Sequence, residues 1–274
     1  MTGGRAARWW TPLARLDDGV TVVHLDLSDL SNRSNRSNRS NRSSAERAEH
    51  EFEAGLEAEH AQAEHVAEAA AWLDYDEQRR ARRFGHGGAR RRYIMCRGAL
   101  RSLLCDALGC ANERLAFVSG EHGKPSATVD GRAAPVHFNV SHSGRHGLIA
   151  LAGRGRVGVD VEDRAASRHN LDALVGRMLR PAEQAAAAAA AAAGGERRKR
   201  DFFLDLWTCK EALSKAHGAG LSWGASRIEI PEEMRDGARS ARLRAPQAPE
   251  TVWRLHNIGT DAFAAALAHE ETTA

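Results

Sequence analysis

Cysteine, tyrosine and long apolar runs are all scarce in this chain. Its 274 residues include four cysteines and two tyrosines, and aromatic residues make up 5% of the total. The cysteines (Cys96, Cys105, Cys110 and Cys209) form no CxxC pair and share no zinc-type spacing with a histidine, so a structural zinc module is excluded. They read as buried free thiols of a reducing compartment. No run approaches the ~18 apolar residues of a membrane helix, and the arginines of the N-terminus are not followed by an apolar stretch. The expectation is a cytoplasmic protein without a membrane partner. Net charge is scarce as well: 39 basic against 36 acidic residues leave +3, which by itself demands no polyanionic partner. With 42% hydrophobic residues the chain can still bury a sizeable core.

What is present is unevenly distributed. Residues 20 to 27 (VTVVHLDL) alternate as a strand does. Residues 31 to 44 are four Ser-Asn-Arg repeats followed by Ser-Ser, a polar tract with nothing to bury, expected to be a disordered insertion. Ser44 to Trp72, rich in Ala, Glu and His, is expected to be a helix or a partly ordered continuation. Between Gln78 and Cys105 stand nine arginines and no acidic residue, a local anion-binding surface. The GHGG segment at 85–88 splits this region into two helices, the second over about 89–108 and ending near Gly109.

Further on, LAFVSG, a turn at EHGKP and VHFNVSHS read as strands and loops. LIALA and VGVDVE, joined by GRGR, read as a hairpin. Pro181 opens a helix through nine consecutive alanines (185–193), and Gly194-Gly195 with RRKR separates it from the next helix. SRIEI, ARLRA, TVWRLHNI and AFAAALA suggest a closing antiparallel set.

Four short stretches carry chemistry. In WTCKEALSKAHGAGL (207–221), helical spacing gathers Trp207, Lys210, Glu211, Ser214 and Lys215 within an arc of roughly 140°, opposite Phe202, Leu206, Cys209, Leu213 and Ala216. Glu211 and Lys215 also fit a solvated i, i+4 surface pair. In GVDVE (158–162), strand alternation turns Asp160 and Glu162 to one face; two such carboxylates suit a hard cation such as Mg²⁺, or an exposed acidic edge. FNVSHS (138–143) delivers Ser141, His142 and Ser143. Without a GxSxG elbow, phosphate recognition suits them better than a nucleophilic triad. GKP (123–125) fixes Lys124 in a turn, where a merely solvated lysine is also common. Together they compose a Mg²⁺-assisted phosphoryl-type transfer from a multiply phosphorylated donor.

Taken in order, RRF…RRRYIMCRGALRSLL, GKP, FNVSHSG, GVDVE and FFLDLWTCKEALSKAHGAGL resemble the 4′-phosphopantetheinyl transferases of the Sfp type, over roughly Asp74 to Trp223. The resemblance implies transfer of phosphopantetheine from coenzyme A to a serine of an apo acyl or peptidyl carrier protein, with release of adenosine 3′,5′-bisphosphate. It implies an α+β fold of two similar halves related by a pseudo-twofold axis, with the active site at their interface. The division expected here is 1–153 and 154–274. The resemblance further implies Asp160, Glu162 and Glu211 as Mg²⁺ ligands and Lys215 on the pyrophosphate with Lys210 beside it; Glu211, directly or through a metal-bound water, is the candidate base. Ser141 and His142 would meet the adenosine 3′-phosphate region and Lys124 the nucleotide end, with Arg80, Arg92 and Arg97 the best matches among the arginines. Exposed arginines would steer an acidic carrier, and the enzyme would work as a monomer.

Two rival readings exist. A nucleic-acid-binding module on the 79–101 arginines would interleave aromatic residues for stacking; the segment has only Phe84 and Tyr93, and the carboxylates would have no task. A Mg²⁺-dependent enzyme acting on another nucleotide would need no carrier protein.

Overall fold

The computed structural model describes residues 9–16, 18–28, 60–61, 63–120, 123–165, 171–219 and 224–272. The Ser-Asn-Arg repeat, the stretch from Ser44 to residue 59, and residues 220–223 lie outside them. The protein is α+β, as expected. It divides into two compact units: Met1–Trp10 with Leu25–Glu113, and Thr11–His24 with Arg114–Ala274.

The first unit is helical. Helix α1 (Tyr75–Arg82) starts at Asp74, whose carboxylate accepts the Glu77 amide while the Glu77 carboxylate accepts the Asp74 amide, a reciprocal cap that satisfies two otherwise orphaned donors. After the GHGG break, helix α2 (Gly87–Leu108) ends where Gly109 turns left-handed at φ 61°. The Cys110 amide then donates to Cys105 O at 3.2 Å, which closes the helix end. The basic run is not all surface. Arg101 is 2% exposed; its Nε donates to Trp72 O at 2.9 Å and a terminal nitrogen to Asp74 Oδ2 at 3.2 Å. It therefore anchors the cap of α1 instead of presenting charge to solvent. Gly98 is required for packing, because a Cβ there would lie 2.4 Å from Ala69 O. Burial pushes the Cys96 thiol up to about 12, as expected of an inert core thiol.

The second unit holds three sheets. β1 (Trp10–Arg15), β2 (Thr21–Asp26), β7 (His146–Ala152) and β6 (His137–Ser143) form one, in the order β1-β2-β7-β6. β8 (Val157–Asp163), β11 (Phe263–Glu270), β10 (Ala248–Asn257) and β9 (Ser240–Ala245) form the second, in that order. The third is small: β3 (Leu115–Ser119), β4 (Pro125–Val129) and β5 (Arg132–Ala133). Two expectations are corrected here. The strands LIALA and VGVDVE exist, but they are not a hairpin: β7 pairs with β6 and β2, whereas β8 pairs with β11, Asp160 opposite Ala266. SRIEI is no strand; it begins as a 3₁₀ turn at Ala225–Arg227 and leads into helix α5 (Glu232–Arg235), which follows helices α3 (Leu171–Met178) and α4 (Pro181–His217). Leu148, Ala150 and Ala152 of β7 share one core with Val157, Val159 and Val161 of β8.

Helix α4 breaks at Gly194-Gly195, where Gly195 has φ 68°, as the glycine pair predicts. The arms fold back on each other, since Glu183 near one end meets Lys210 in the other arm. The second arm is buried on most sides: Phe203, Leu206, Cys209, Leu213 and Ala216 pack with Trp253, Leu255 and the alanines of β11. Each large side chain buried here contributes about 1.5–3 kcal/mol. Strand alternation sends Val157, Val159 and Val161 into the opposite core and leaves Gly158, Asp160 and Glu162 toward α4. A Cβ on Gly158 would stand 2.2 Å from Ala212 O and 2.3 Å from Ala216 N, so only glycine lets strand and helix come this close.

Candidate active site

Two edge strands meet through side chains instead of backbone hydrogen bonds. On β6 every second residue reaches β8: Asn139 Oδ1 accepts the Val159 amide at 3.0 Å, Ser141 Oγ donates to Asp160 Oδ1 at 2.8 Å, and Ser143 Oγ donates to Glu162 Oε2 at 2.7 Å. The equal spacing of Ser141/Ser143 and Asp160/Glu162 makes this ladder possible. Each serine hydroxyl donates to one oxygen of a carboxylate.

Over the ladder lies the second arm of α4. Lys215 Nζ donates to Asp160 Oδ1 at 2.6 Å and to Ser141 Oγ at 2.9 Å, closing a triangle of Lys215, Ser141 and Asp160. Asp160 is 5% exposed and Ser141 6%. Lys215 remains accessible on its open side. One turn before it, Glu211 is half-buried, and its carboxyl is held above its ordinary range by burial and then by the charges of Asp160 and Glu162, against the opposing pull of Lys215. Glu211 and Lys215 are therefore no solvated surface pair; the lysine is committed across the gap to β8.

The donor set suits a hard cation. Asp160 Oδ2 is buried with no hydrogen-bond partner, an oxygen that costs free energy unless something binds it. Three carboxylates share one electrostatic neighbourhood with few cations, and oxygen donors of this kind are what Mg²⁺ prefers. Among the described residues, however, no three His, Cys, Asp or Glu side chains already stand close enough together to hold an ion.

Several expected site residues are placed elsewhere. Lys210 is wholly buried; its Nζ donates to Glu183 Oε2 and to Ile228 O, each at 2.6 Å, so it cannot stand beside a pyrophosphate. Burial lowers its pKa, against the raising effect of Glu183. Helical spacing put Lys210 on the Glu211 side, but Glu183 of the first arm of α4 and the Ile228 carbonyl hold its ammonium. Lys124 is also engaged: its Nζ donates to Val157 O at 3.0 Å, Lys215 O at 2.7 Å and Ala216 O at 3.0 Å. All three protons are used, which leaves none for a nucleotide. His142 is exposed and, by strand alternation, turned away from the face that carries Ser141 and Ser143.

Arg80, Arg92 and Arg97 belong to the first unit. Arg80 and Arg97 flank the Tyr93 ring, their Cζ atoms 5.5 Å and 6.0 Å from its centroid, and Arg97 Nε lies 3.4 Å from Glu77 Oε1. Arg79, Arg80 and Arg83 line an open groove of about 600 Å³ with Asp76 and Phe84. Arg92 is half-buried near Cys96. Trp207 packs at the edge of the α4 core, 6.0 Å from Phe203 between ring centroids, so its role is packing. Glu183 escaped sequence reasoning. It accepts Lys210, the Ile230 amide at 2.8 Å and the Arg180 amide at 2.7 Å; its position three residues after the helix cap, behind Pro181, was the available signal.

Residues 60–154 match the family model described as "4′-phosphopantetheinyl transferase, N-terminal", and residues 156–268 match the "4′-phosphopantetheinyl transferase superfamily" model. A putative 4′-phosphopantetheinyl transferase of Synechocystis is 37% identical over 163 residues, 60% of this chain and 63% of that protein. The 4′-phosphopantetheinyl transferase HetI of Nostoc is 33% identical over 157 residues, 57% of this chain and 64% of that protein. A third, psf-1 of Bacillus pumilus, is 26% identical over 188 residues, 66% of this chain and 72% of its own length. The chain thus spans somewhat less than two thirds of the length of the first two relatives. With both models covering it in succession, the chain belongs to the 4′-phosphopantetheinyl transferase superfamily.

Proposed function

We propose that the protein is an Sfp-type 4′-phosphopantetheinyl transferase that modifies a serine of an apo acyl or peptidyl carrier protein, with coenzyme A as donor. The observation that carries this reading is the pairing of a buried, half-satisfied Asp160 with Lys215, next to Glu211 and Glu162. In the reaction the carrier serine Oγ bonds to the β-phosphorus of coenzyme A, the bond from that phosphorus to the bridging oxygen breaks, and adenosine 3′,5′-bisphosphate leaves. Glu211, half-buried beside Asp160, Glu162 and Lys215, is the group that takes the serine proton. Lys215, held in place by Asp160 and Ser141, offers its ammonium to the pyrophosphate, where charge builds on the leaving oxygen. Asp160, Glu162 and Glu211 would hold Mg²⁺, which supplies charge neutralisation of the pyrophosphate. Ser143 keeps Glu162 aimed at the same space.

The carrier would present an acidic surface to exposed arginines such as Arg79, Arg80 and Arg83. Among the described residues no helix is long and apolar enough to cross a membrane. The enzyme would act in the cytoplasm as a monomer. The pathway follows from the carrier: fatty-acid, polyketide or nonribosomal-peptide synthesis. The test is incubation with coenzyme A, Mg²⁺ and a panel of apo carrier proteins, followed by intact-mass measurement. One carrier should gain the mass of a single phosphopantetheine; a panel without any adduct overturns the reading.

A further inference from the structure

We infer that Lys124 is a positioning residue: its ammonium clamps the end of α4 to the start of β8 and so sets the distance between Lys215 and Asp160. The inference rests on the transferase reading above for its consequence, but not for the clamp itself.

The last carbonyls of an α-helix have no partner within the helix, and a cation there is favoured by the helix dipole. In α4 two of these carbonyls, Lys215 O and Ala216 O, converge on Lys124 Nζ, and a third proton of the same nitrogen goes to Val157 O, the first residue of β8. One nitrogen therefore bridges the two elements that carry the site. Lys215 itself contributes at both ends, with its carbonyl held by Lys124 and its ammonium held by Asp160 at 2.6 Å.

The surroundings fix Lys124 as firmly as it fixes them. Its own carbonyl accepts the Gly120 amide at 3.0 Å, and Gly123 before it is left-handed at φ 78°. The next residue, Pro125, opens β4. Its aliphatic stem runs past the helix-capping Gly218, where a Cβ would lie 3.3 Å from Lys124 Cδ. Burial lowers its pKa to about 8, and the charge of Arg156 adds to the effect. At the other end of the same contact, Gly158 lets Ala212 and Ala216 touch β8. The clamp and the glycine together leave α4 one register on the strand.

Lys124→Met, which keeps the stem and removes the donors, and Lys124→Arg separate this role from nucleotide contact. Two readouts are compared with the unmodified protein: amide hydrogen exchange in the last turn of α4, and steady-state transfer with coenzyme A and with dephospho-coenzyme A. The clamp predicts faster exchange over residues 214–218 and a kcat lower by about tenfold to a hundredfold, with KM for either donor within about twofold. It also predicts partial recovery in Lys124→Arg. Unchanged exchange overturns the inference, as does a loss confined to KM for coenzyme A and absent with dephospho-coenzyme A. If the unmodified protein transfers nothing, the transferase reading fails, while the exchange measurement still decides the clamp.

Discussion

Lys215 and Asp160, 55 positions apart in the chain, are joined at 2.6 Å between Nζ and Oδ1. The contact spans a helix and a strand, and Ser141 from a second sheet completes it. Sites built on regular elements hold their geometry better than sites on loops, which suits a reaction whose catalysis is mainly positioning and charge.

Removing one partner should expose this dependence. Lys215→Met leaves the buried Asp160 carboxylate facing Ser141 alone. Because Lys215 is partly open to solvent, the loss of stability should be modest, about 1–2 kcal/mol in urea unfolding, while transfer should fall by at least about a hundredfold. Loss of both in equal proportion would mean that Lys215 only holds the fold together.

Lys210 should behave in the opposite manner. Lys210→Met strands Glu183 in the core and should cost about 3–5 kcal/mol. The double variant Lys210→Met/Glu183→Gln should recover part of that loss, and any folded fraction should bind coenzyme A as the unmodified protein does. Denaturant unfolding of the four members of the cycle measures the coupling.

Glu211 makes stability depend on pH in a direction that can be worked out. Its folded pKa lies above its ordinary value of 4.5, so the native state binds this proton more tightly than the unfolded chain. Stability is thus lost as pH rises from the unfolded value through the folded one, and the full penalty remains at neutral pH. Glu211→Gln should therefore melt higher than the unmodified protein at neutral pH, with the gap closing below about pH 4.5. Added Mg²⁺ should raise the melting temperature of the unmodified protein and do so much less for Glu211→Gln. A constant gap at all pH values would show that packing, not charge, sets the difference.

Gly158→Ala probes the contact beneath the site. The new methyl cannot fit against Ala212 O and Ala216 N, so α4 must move off β8. Destabilisation of about 1–3 kcal/mol is expected, with loss of transfer out of proportion to it. Thermal unfolding and transfer rates measured together check this.

Much of this was legible in the chain. Alternation in GVDVE placed Asp160 and Glu162 on one face, and helical spacing placed Glu211 and Lys215 on another; the structure brings the two faces together. The breaks at GHGG and Gly194-Gly195 were also readable, because glycine pairs interrupt helices for local reasons. What local pattern could not supply was pairing at a distance. That β7 and β8 enter different sheets depends on β11, a hundred residues later. That Lys210 is interior depends on the first arm of α4 folding back, and that Lys124 is spent on carbonyls depends on where α4 ends. A lysine in a motif looks the same in sequence whether its ammonium meets a phosphate or a helix end.

The central claim is that the carboxylates on β8 and α4 serve chemistry and not folding. The most direct measurement compares the unmodified protein with Asp160→Ala and Glu211→Ala, reading the intact mass of an accepted apo carrier after incubation with coenzyme A and Mg²⁺, alongside circular dichroism of each variant. The account predicts a phosphopantetheine adduct with the unmodified protein and none with either variant, although both give native spectra. A folded variant that still modifies the carrier at near-normal rate would contradict it.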